Sequence, residues 1–272
     1  MSRLESTFHE LRQSGSGAFI PYVCVGDPNK AFTVDLVEVL LRAGADVVEL
    51  GLPFSDPVAD GPVIQNSMQR SLSAGFRTTD IMDTISTLRS RGMTKPVVVM
   101  TYYNPVLKFG VEQFCRRLAN AGADGILVVD LPLEESEALE TVARENALDV
   151  IRLVAPSTSD SRIGQILSRS SGFVYVVSVS GTTGARDTLP QSTEVLLERV
   201  VKRSSLPVAL GFGISDPQQV RSALDAGASG VVVGSKLISV YSDGPSARSE
   251  ALARVQSFAE AMKAATRGIR NP

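Results

Sequence analysis

A carboxylate stands in an apolar segment at residues 47–51, which read Val-Val-Glu-Leu-Gly. In an extended strand Glu49 shares a face with Val47, and a charge in such surroundings is costly unless it is paired or functional. A carboxyl group at the end of a strand can give and take protons in catalysis. We therefore predict that Glu49 is an acid–base group, and the alternative is a buried structural ion pair.

A loop with two more carboxylates follows directly at residues 52–61, Leu-Pro-Phe-Ser-Asp-Pro-Val-Ala-Asp-Gly. Its two prolines and final glycine predict a stiff loop that brings Asp56 and Asp60 near Glu49. An aspartate before a glycine is also a common turn residue, so local signals leave both readings of Asp60 open. Asp56 fits better as a surface or interface residue.

Three glycine clusters in the second half of the chain are candidates for binding a phosphate group. They are residues 181–184, residues 211–213, and Gly234 with Ser235. Glycine lets backbone amides approach an anion closely, and Ser235 could cap a short helix whose free amides face that anion. A turn explains each cluster singly, but the three together favour a phosphate site.

Carbon–carbon bond cleavage needs an electron sink, and this sequence limits the choice. Lys95 precedes a strand candidate, which is the wrong end for a Schiff base, and Lys236 is the only near miss. The only histidine, His9, lies in the N-terminal segment without partners, so we predict no metal site. A substrate cleaved by carboxylates alone must therefore carry its own electron sink.

Short β-branched runs alternate with segments of helical periodicity along the whole chain, a pattern typical of strand–helix units around a parallel sheet. About eight strands in 272 residues predict a (β/α)₈ barrel, with an open doubly wound sheet as the alternative. In such a barrel the active site lies at the C-terminal strand ends, where Glu49 and the glycine clusters fall. The strand candidates are residues 18–23, 46–50, 97–101, 125–129, 150–154, 173–177, 208–211 and 230–233.

Helices are predicted where apolar residues recur three and four positions apart, as at residues 32–40 and 111–118. Asp216 and the proline after it indicate the start of another helix. The amphipathic residues 2–13 predict an extra N-terminal helix, and a short phosphate-binding helix should follow the eighth strand at Ser235. Glycines 44, 122 and 227 are placed for left-handed helix ends.

Composition argues against several classes of protein. The net charge is −2 and the positive residues are scattered, so neither nucleic-acid nor membrane binding is predicted. No signal-peptide core or apolar run of ~18 residues is present, which favours a cytoplasmic protein. Cys24 and Cys115 are too few for a disulfide framework. No linker divides the chain, so we predict that residues 1–272 form a single domain.

Residues 48–61 resemble the signature of tryptophan synthase α chains throughout, and the resemblance extends along nearly the whole chain. Tyr22 and Thr182 depart mildly from the family, which often has phenylalanine and valine at these positions. The further similar segments are residues 19–23, 26–28, 100–105, 172–175, 184–186 and 211–215.

The resemblance implies cleavage of indole-3-glycerol phosphate into indole and glyceraldehyde 3-phosphate, with an indole ring protonated at C3 as the electron sink. Glu49 would move the proton between the glycerol-chain hydroxyl and indole C3, and Asp60 would accept the indole N–H. Thr183 would hydrogen-bond Asp60 when its loop closes. The phosphate would be held by Gly184, Gly213, Gly234 and Ser235, and the indole by Tyr22, Met100, Tyr102, Tyr175 and Phe212.

The resemblance also implies a partner, the tryptophan synthase β subunit, in an α₂β₂ heterotetramer that makes L-tryptophan. Pyridoxal phosphate would belong to the β subunit, and no cofactor is expected in this chain. Phe54 and Asp56 have no evident internal role in the sequence. We therefore expect residues 53–60 to contact the partner, through Pro53, Phe54 and Asp56.

Two other functions remain open at this stage. One is another phosphosugar barrel, such as phosphoribosylanthranilate isomerase, for which Cys24 half-fits although no aspartate ends the sixth strand. The other is a mainly allosteric subunit with weak activity, whose main task is to activate a partner.

Overall fold

The protein is described by a computed structural model that covers residues 1–177, 189–211, 213–244 and 247–268. Eight parallel strands close into a barrel in chain order, with the last strand paired to the first. This confirms the (β/α)₈ prediction and rules out the open sheet. The strands are β1 (Ala18–Cys24), β2 (Val48–Gly51), β3 (Val97–Thr101), β4 (Gly125–Val128), β5 (Asp149–Val154), β6 (Val174–Val177), β7 (Val208–Gly211) and β8 (Gly230–Val233).

Helices surround the barrel and bury their apolar faces against it. The predicted face at residues 32–40 is buried, and so are Phe114, Cys115 and Leu118 of the second predicted helix. The helices are α1 (Arg3–Gln13), α2 (Lys30–Arg42), α3 (Pro62–Ser73), α4 (Thr79–Ser90), α5 (Tyr103–Phe109), α6 (Val111–Ala121), α7 (Glu137–Glu145), α8 (Asp160–Ser168), α9 (Gln191–Val201), α10 (Pro217–Asp225), α11 (Ser235–Ser242) and α12 (Arg248–Ala265).

The N-terminal helix α1 covers the end of the barrel where the strands begin. Its N-cap Ser2 and Glu5 form a capping box, which fixes where the helix starts. Leu4 and Phe8 are buried, and the Phe8 ring lies 5.6 Å from that of Phe173, just before β6. The predicted extra helix is thus present at this end of the barrel.

The ends of the helices follow the predicted signals. The side chain of Asp216 accepts hydrogen bonds from the backbone N–H groups of Gln218 and Gln219 at the start of α10. Glycines 44, 122 and 227 have φ angles of +99°, +98° and +98°, a left-handed conformation that other residues rarely adopt. These short helix ends return the chain directly to the next strand.

The second strand begins two residues later than predicted, for a local reason. The Asp46 carboxylate accepts hydrogen bonds from the Phe19 N–H at 2.8 Å and from Lys263 at 2.7 Å. Asp46 therefore links β1 and α12 instead of continuing β2. The strand extends to Gly51, which pairs with Cys24 and with Met100. Glu49 consequently lies inside the strand, with Leu50 and Gly51 after it.

Candidate active site

Glu49 is buried in the barrel, and no charged side chain of the described ranges forms an ion pair with it. In the sheet it pairs with Tyr22 of β1 and with Val98 of β3, and laterally paired residues of parallel strands point to the same face. The side chain is 1% exposed, and neither carboxylate oxygen has a hydrogen-bond partner in the described part of the chain. Burial, with a smaller contribution from Asp60, raises the pKa of Glu49 to about 8. The structural ion pair considered from the sequence is therefore not formed with any residue that the structure describes.

Asp60 is buried near Glu49, and its side chain bonds a residue of the barrel interior instead of stabilising a turn. Its Oδ2 atom accepts a hydrogen bond of 2.6 Å from the Tyr102 hydroxyl, while Oδ1 has no partner among the described residues. The Ala59 N–H donates to the same hydroxyl at 3.0 Å. Burial raises the pKa of Asp60, and the bond from Tyr102 opposes this shift. Tyr102 thus orients a carboxylate that keeps one oxygen for another donor.

The loop at residues 52–61 carries Asp60 inward and leaves its middle exposed. The Leu52 N–H donates to the Met100 carbonyl at 2.9 Å, and α3 begins directly after the loop. Pro53 is buried, and Phe54 is half-buried with its ring 5.2 Å from that of Tyr102. The sequence-based statement that Phe54 lacks an internal role is therefore wrong, because this ring packs against the tyrosine that holds Asp60.

Only part of the loop faces solvent. Asp56 is exposed, and Val58 is 85% exposed. Of the three predicted partner contacts, Asp56 is therefore exposed, Phe54 is half-buried and Pro53 is buried. Leu107 on α5, the helix that follows β3, is also 58% exposed.

Two tyrosines of the predicted indole pocket lie over glycines of the neighbouring strands. A Cβ atom at Gly51 would fall 2.1 Å from the Tyr22 hydroxyl, and one at Gly211 would fall 2.2 Å from the Tyr175 hydroxyl. Both tyrosines are buried, and so is Met100. The Tyr22 hydroxyl has no hydrogen-bond partner among the described residues. The sequence analysis did not predict these two tyrosine–glycine contacts, although each glycine ends a strand that lies beside the strand carrying the tyrosine.

The predicted phosphate residues can be located only in part. Gly213 has a φ angle of +83°, and Gly234 precedes the first turn of α11. The prediction that Ser235 caps this helix is wrong, because Gly234 is the N-cap and Ser235 is the first helical residue. Ser235 is exposed, and so is Lys236, which leaves that lysine outside the buried interior. Thr183, Gly184 and Phe212 lie outside the described residues.

The competing chemistries find little support in the residues that the structure describes. Cys24 is buried, and burial raises its pKa to about 12, so its thiol is a poor acid–base group near neutrality. His9 is exposed and shares a hydrogen bond of 2.9 Å with Gln13 on α1, far from the interior. No cluster of metal-ligating side chains occurs within the described ranges. No helix in the same ranges is long and apolar enough to span a bilayer.

Comparison with known proteins identifies relatives along almost the whole chain. Residues 8–267 match the family described as Tryptophan synthase alpha chain. The Tryptophan synthase alpha chain of Carboxydothermus hydrogenoformans is 47% identical over 240 residues, which are 88% of this chain and 89% of that protein. The protein of the same description from Roseiflexus sp. is 43% identical over 263 residues, which are 97% of this chain and 100% of that protein.

Solved structures show the same barrel. Tryptophan synthase subunit alpha from Legionella pneumophila superposes with a TM-score of 0.89 at 33% identity, covering 98% of each chain. A chain of Mycobacterium tuberculosis tryptophan synthase gives a TM-score of 0.89 at 35% identity, covering 98% of this chain and 99% of that one. The likeness therefore extends over both the sequence and the fold.

Proposed function

Because this chain belongs to the tryptophan synthase alpha chain family of indole-3-glycerol-phosphate lyases, we propose that Glu49 and Asp60 carry out its cleavage reaction. The products are indole and glyceraldehyde 3-phosphate, and the reaction needs no cofactor. The observation that carries the proposal is a buried glutamate whose two carboxyl oxygens have no partner in the described part of the chain, beside a second buried carboxylate held by Tyr102.

Glu49 acts in this proposal as a proton carrier that enters the reaction protonated. Its pKa of about 8 keeps the proton on the carboxyl group near neutrality. The proton passes to C3 of the indole ring, which turns the ring into a cationic electron sink. The carboxylate then removes the proton of the chain hydroxyl next to the ring. The bond between C3 and the chain breaks, its electrons return to the ring, and the hydroxyl carbon becomes the aldehyde.

Asp60 stabilises the cationic ring formed in the first step. A carboxylate in a low-dielectric interior interacts strongly with a nearby positive charge. The Tyr102 hydroxyl holds Oδ2, so Oδ1 is the oxygen that can accept the ring N–H. The two carboxyl groups thus differ in role because their environments differ: among the described residues Glu49 has no hydrogen-bond donor, whereas Asp60 has one.

The remaining site residues are proposed to bind and enclose the substrate. Backbone amides near three glycines and Ser235 would hold the phosphate, as the first turn of a helix can do. Thr183 would hydrogen-bond Asp60, and apolar and aromatic side chains would enclose the indole. The phosphate residues are Gly184, Gly213, Gly234 and Ser235, and the indole residues are Tyr22, Met100, Tyr102, Tyr175 and Phe212.

The pH dependence of kcat/KM should be bell-shaped for the isolated chain. Activity should fall as the pH rises through about 8, because Glu49 then loses the proton that it must give to C3. Activity should also fall in acid as Asp60 takes up a proton, at a pH above the ordinary aspartate range because burial raises its pKa. Initial rates of indole release, with circular dichroism at each pH, measure the profile. Activity that rises steadily through pH 8 would contradict a proton donor at Glu49.

We further propose that this chain assembles with a tryptophan synthase β subunit, the pyridoxal-phosphate protein that converts indole to L-tryptophan. The support is the exposed middle of the loop at residues 52–61, together with the apolar side chains of Val58 and Leu107 at the same end of the barrel. A partner on this surface could hold the loop in the arrangement in which Tyr102 orients Asp60. The proposal sets the reaction in the cytoplasm, because a phosphorylated substrate made inside the cell is charged and does not readily cross a bilayer.

Addition of the β subunit from the same organism should raise the rate of indole-3-glycerol phosphate cleavage above that of the isolated chain. Asp56→Ala should require more β subunit for half-maximal activation, because an exposed charge of the contact loop is lost. Asp83→Ala removes an exposed carboxylate from α4 and serves as the matched control. Equal titration curves for Asp56→Ala, Asp83→Ala and the unmodified chain would remove Asp56 from the interface.

A further inference from the structure

The Tyr22 hydroxyl occupies a distinct position in the barrel interior. It lies where Gly51 would carry a side chain, since a Cβ atom there would be 2.1 Å from the hydroxyl oxygen. Gly51 follows Glu49 by two residues on the same face of β2, so the hydroxyl lies on the barrel-mouth side of Glu49, roughly 7 Å along the strand from the Glu49 Cβ position. The tyrosine is 2% exposed, and the hydroxyl has no partner among the described residues.

The base of the same ring lies near the proposed phosphate site. A Cβ atom at Gly234 would be 3.4 Å from the Cβ atom of Tyr22 and 3.5 Å from its Cδ1 atom. Gly234 is the N-cap of α11, whose first amides are candidates for phosphate binding. The Tyr22 ring therefore extends from the phosphate end of the site to the carboxyl end.

A buried hydroxyl without a partner is costly, and a polar group of a bound substrate can offset that cost. Between the phosphate and the indole ring, the substrate has a three-carbon chain with two hydroxyls. In the proposed reaction the hydroxyl next to the ring gives its proton to Glu49. The middle hydroxyl has no assigned partner. It belongs to the part of the chain that must lie along the Tyr22 ring, between the phosphate end and the carboxyl end of the site.

We propose that the Tyr22 hydroxyl hydrogen-bonds the middle hydroxyl of the glycerol chain and so positions the reacting carbon against Glu49. This inference rests on the proposed function, because it takes the substrate and the role of Glu49 from it. Tyr22 acts as a positioning and specificity residue, whereas the proton transfers remain with Glu49. Tyr175, which lies over Gly211 in the corresponding way, provides an internal comparison.

The test compares Tyr22→Phe with the unmodified chain on two compounds: indole-3-glycerol phosphate and its analogue with hydrogen in place of the middle hydroxyl. For the natural substrate, kcat/KM should fall about three- to tenfold, the effect expected from losing one neutral hydrogen bond. For the analogue, the variant and the unmodified chain should react equally. If the analogue is not turned over, dissociation constants from calorimetry replace kcat/KM for both compounds. Tyr175→Phe, the matched control, should not discriminate between the two compounds.

The other outcomes overturn the inference. If Tyr22→Phe loses the same factor in kcat/KM on both compounds, the hydroxyl either supports packing or contacts Glu49. A changed pH profile of the variant would identify the contact with Glu49. Unchanged kinetics on both compounds would show that the hydroxyl contacts nothing in the reaction. Absence of indole release by the unmodified chain, alone and with the β subunit, would instead refute the proposed function. In that case, calorimetry could still support the contact. Tyr22→Phe should then bind the natural compound more weakly than the unmodified chain does, and should bind the two compounds with equal affinity.

Discussion

Asp60→Asn should lower kcat for indole-3-glycerol phosphate cleavage by about 10²–10³-fold, the range found when one preorganised electrostatic partner of a transition state is removed. The amide has nearly the same shape, and its oxygen can still accept the bond from Tyr102. What it lacks is the negative charge that stabilises the cationic ring. The effect should be large because the site is buried, where charges are poorly screened.

The fold should tolerate this change. Burial raises the pKa of Asp60 above its ordinary value, so the ionised side chain destabilises the folded chain at neutral pH. Asparagine removes that charge, and we expect a thermal midpoint at pH 7 no lower than that of the unmodified chain. Asp83→Asn, an exposed change on α4, is the control for a general charge effect. A loss of less than about tenfold in Asp60→Asn would exclude Asp60 as the stabilising charge.

Much of the fold could be predicted from local sequence patterns. Buried parallel strands appear as short β-branched runs, and glycines 44, 122 and 227 indicate the ends of the helices between them. Although its catalytic role stays a prediction, the burial of Glu49 was also identifiable, because the residue lies within an apolar strand. The start of β2 was not, since the role of Asp46 depends on Phe19 and Lys263, which are distant in sequence.

The contacts inside the site depend on the register between strands, which no local pattern specifies. Asp60 could not be separated from an ordinary turn aspartate until its bond to Tyr102, 42 residues away, was located. The contact of Tyr22 with Gly51 likewise depends on the pairing of β1 with β2. Ser235 was wrongly predicted as a cap because the backbone of Gly234, and not the residue type, decides where α11 begins.

Glu49→Gln should abolish cleavage, with kcat lower by about 10²–10⁴-fold, because glutamine keeps the size of the side chain and cannot carry the proton. Glu140→Gln is the matched control. Glu140 is also buried, but it accepts hydrogen bonds from Ser136, Arg152 and Arg169 and lies on α7, outside the barrel interior. That variant should lose stability, on the order of 3 kcal/mol, because it disrupts a buried ion pair. Its kcat should stay near that of the unmodified chain.

Glu49→Gln should gain stability where Glu140→Gln loses it, and the gain should depend on pH. The folded chain keeps a proton on Glu49 up to about pH 8, whereas an ordinary glutamate releases it near pH 4.5. The contribution of Glu49 to stability therefore falls as the pH rises through this window and is lowest above about 8. Glutamine does not titrate, so the stability of Glu49→Gln relative to the unmodified chain should increase across the same window.

The most direct test of the central claim is the rate of indole release from indole-3-glycerol phosphate by folded Glu49→Gln at pH 7, compared with the unmodified chain and Glu140→Gln. If Glu49 carries the proton, the first variant is folded and at least about 10²-fold slower, while Glu140→Gln keeps its rate. A folded Glu49→Gln chain that releases indole within about tenfold of the unmodified rate would show that another group carries the proton.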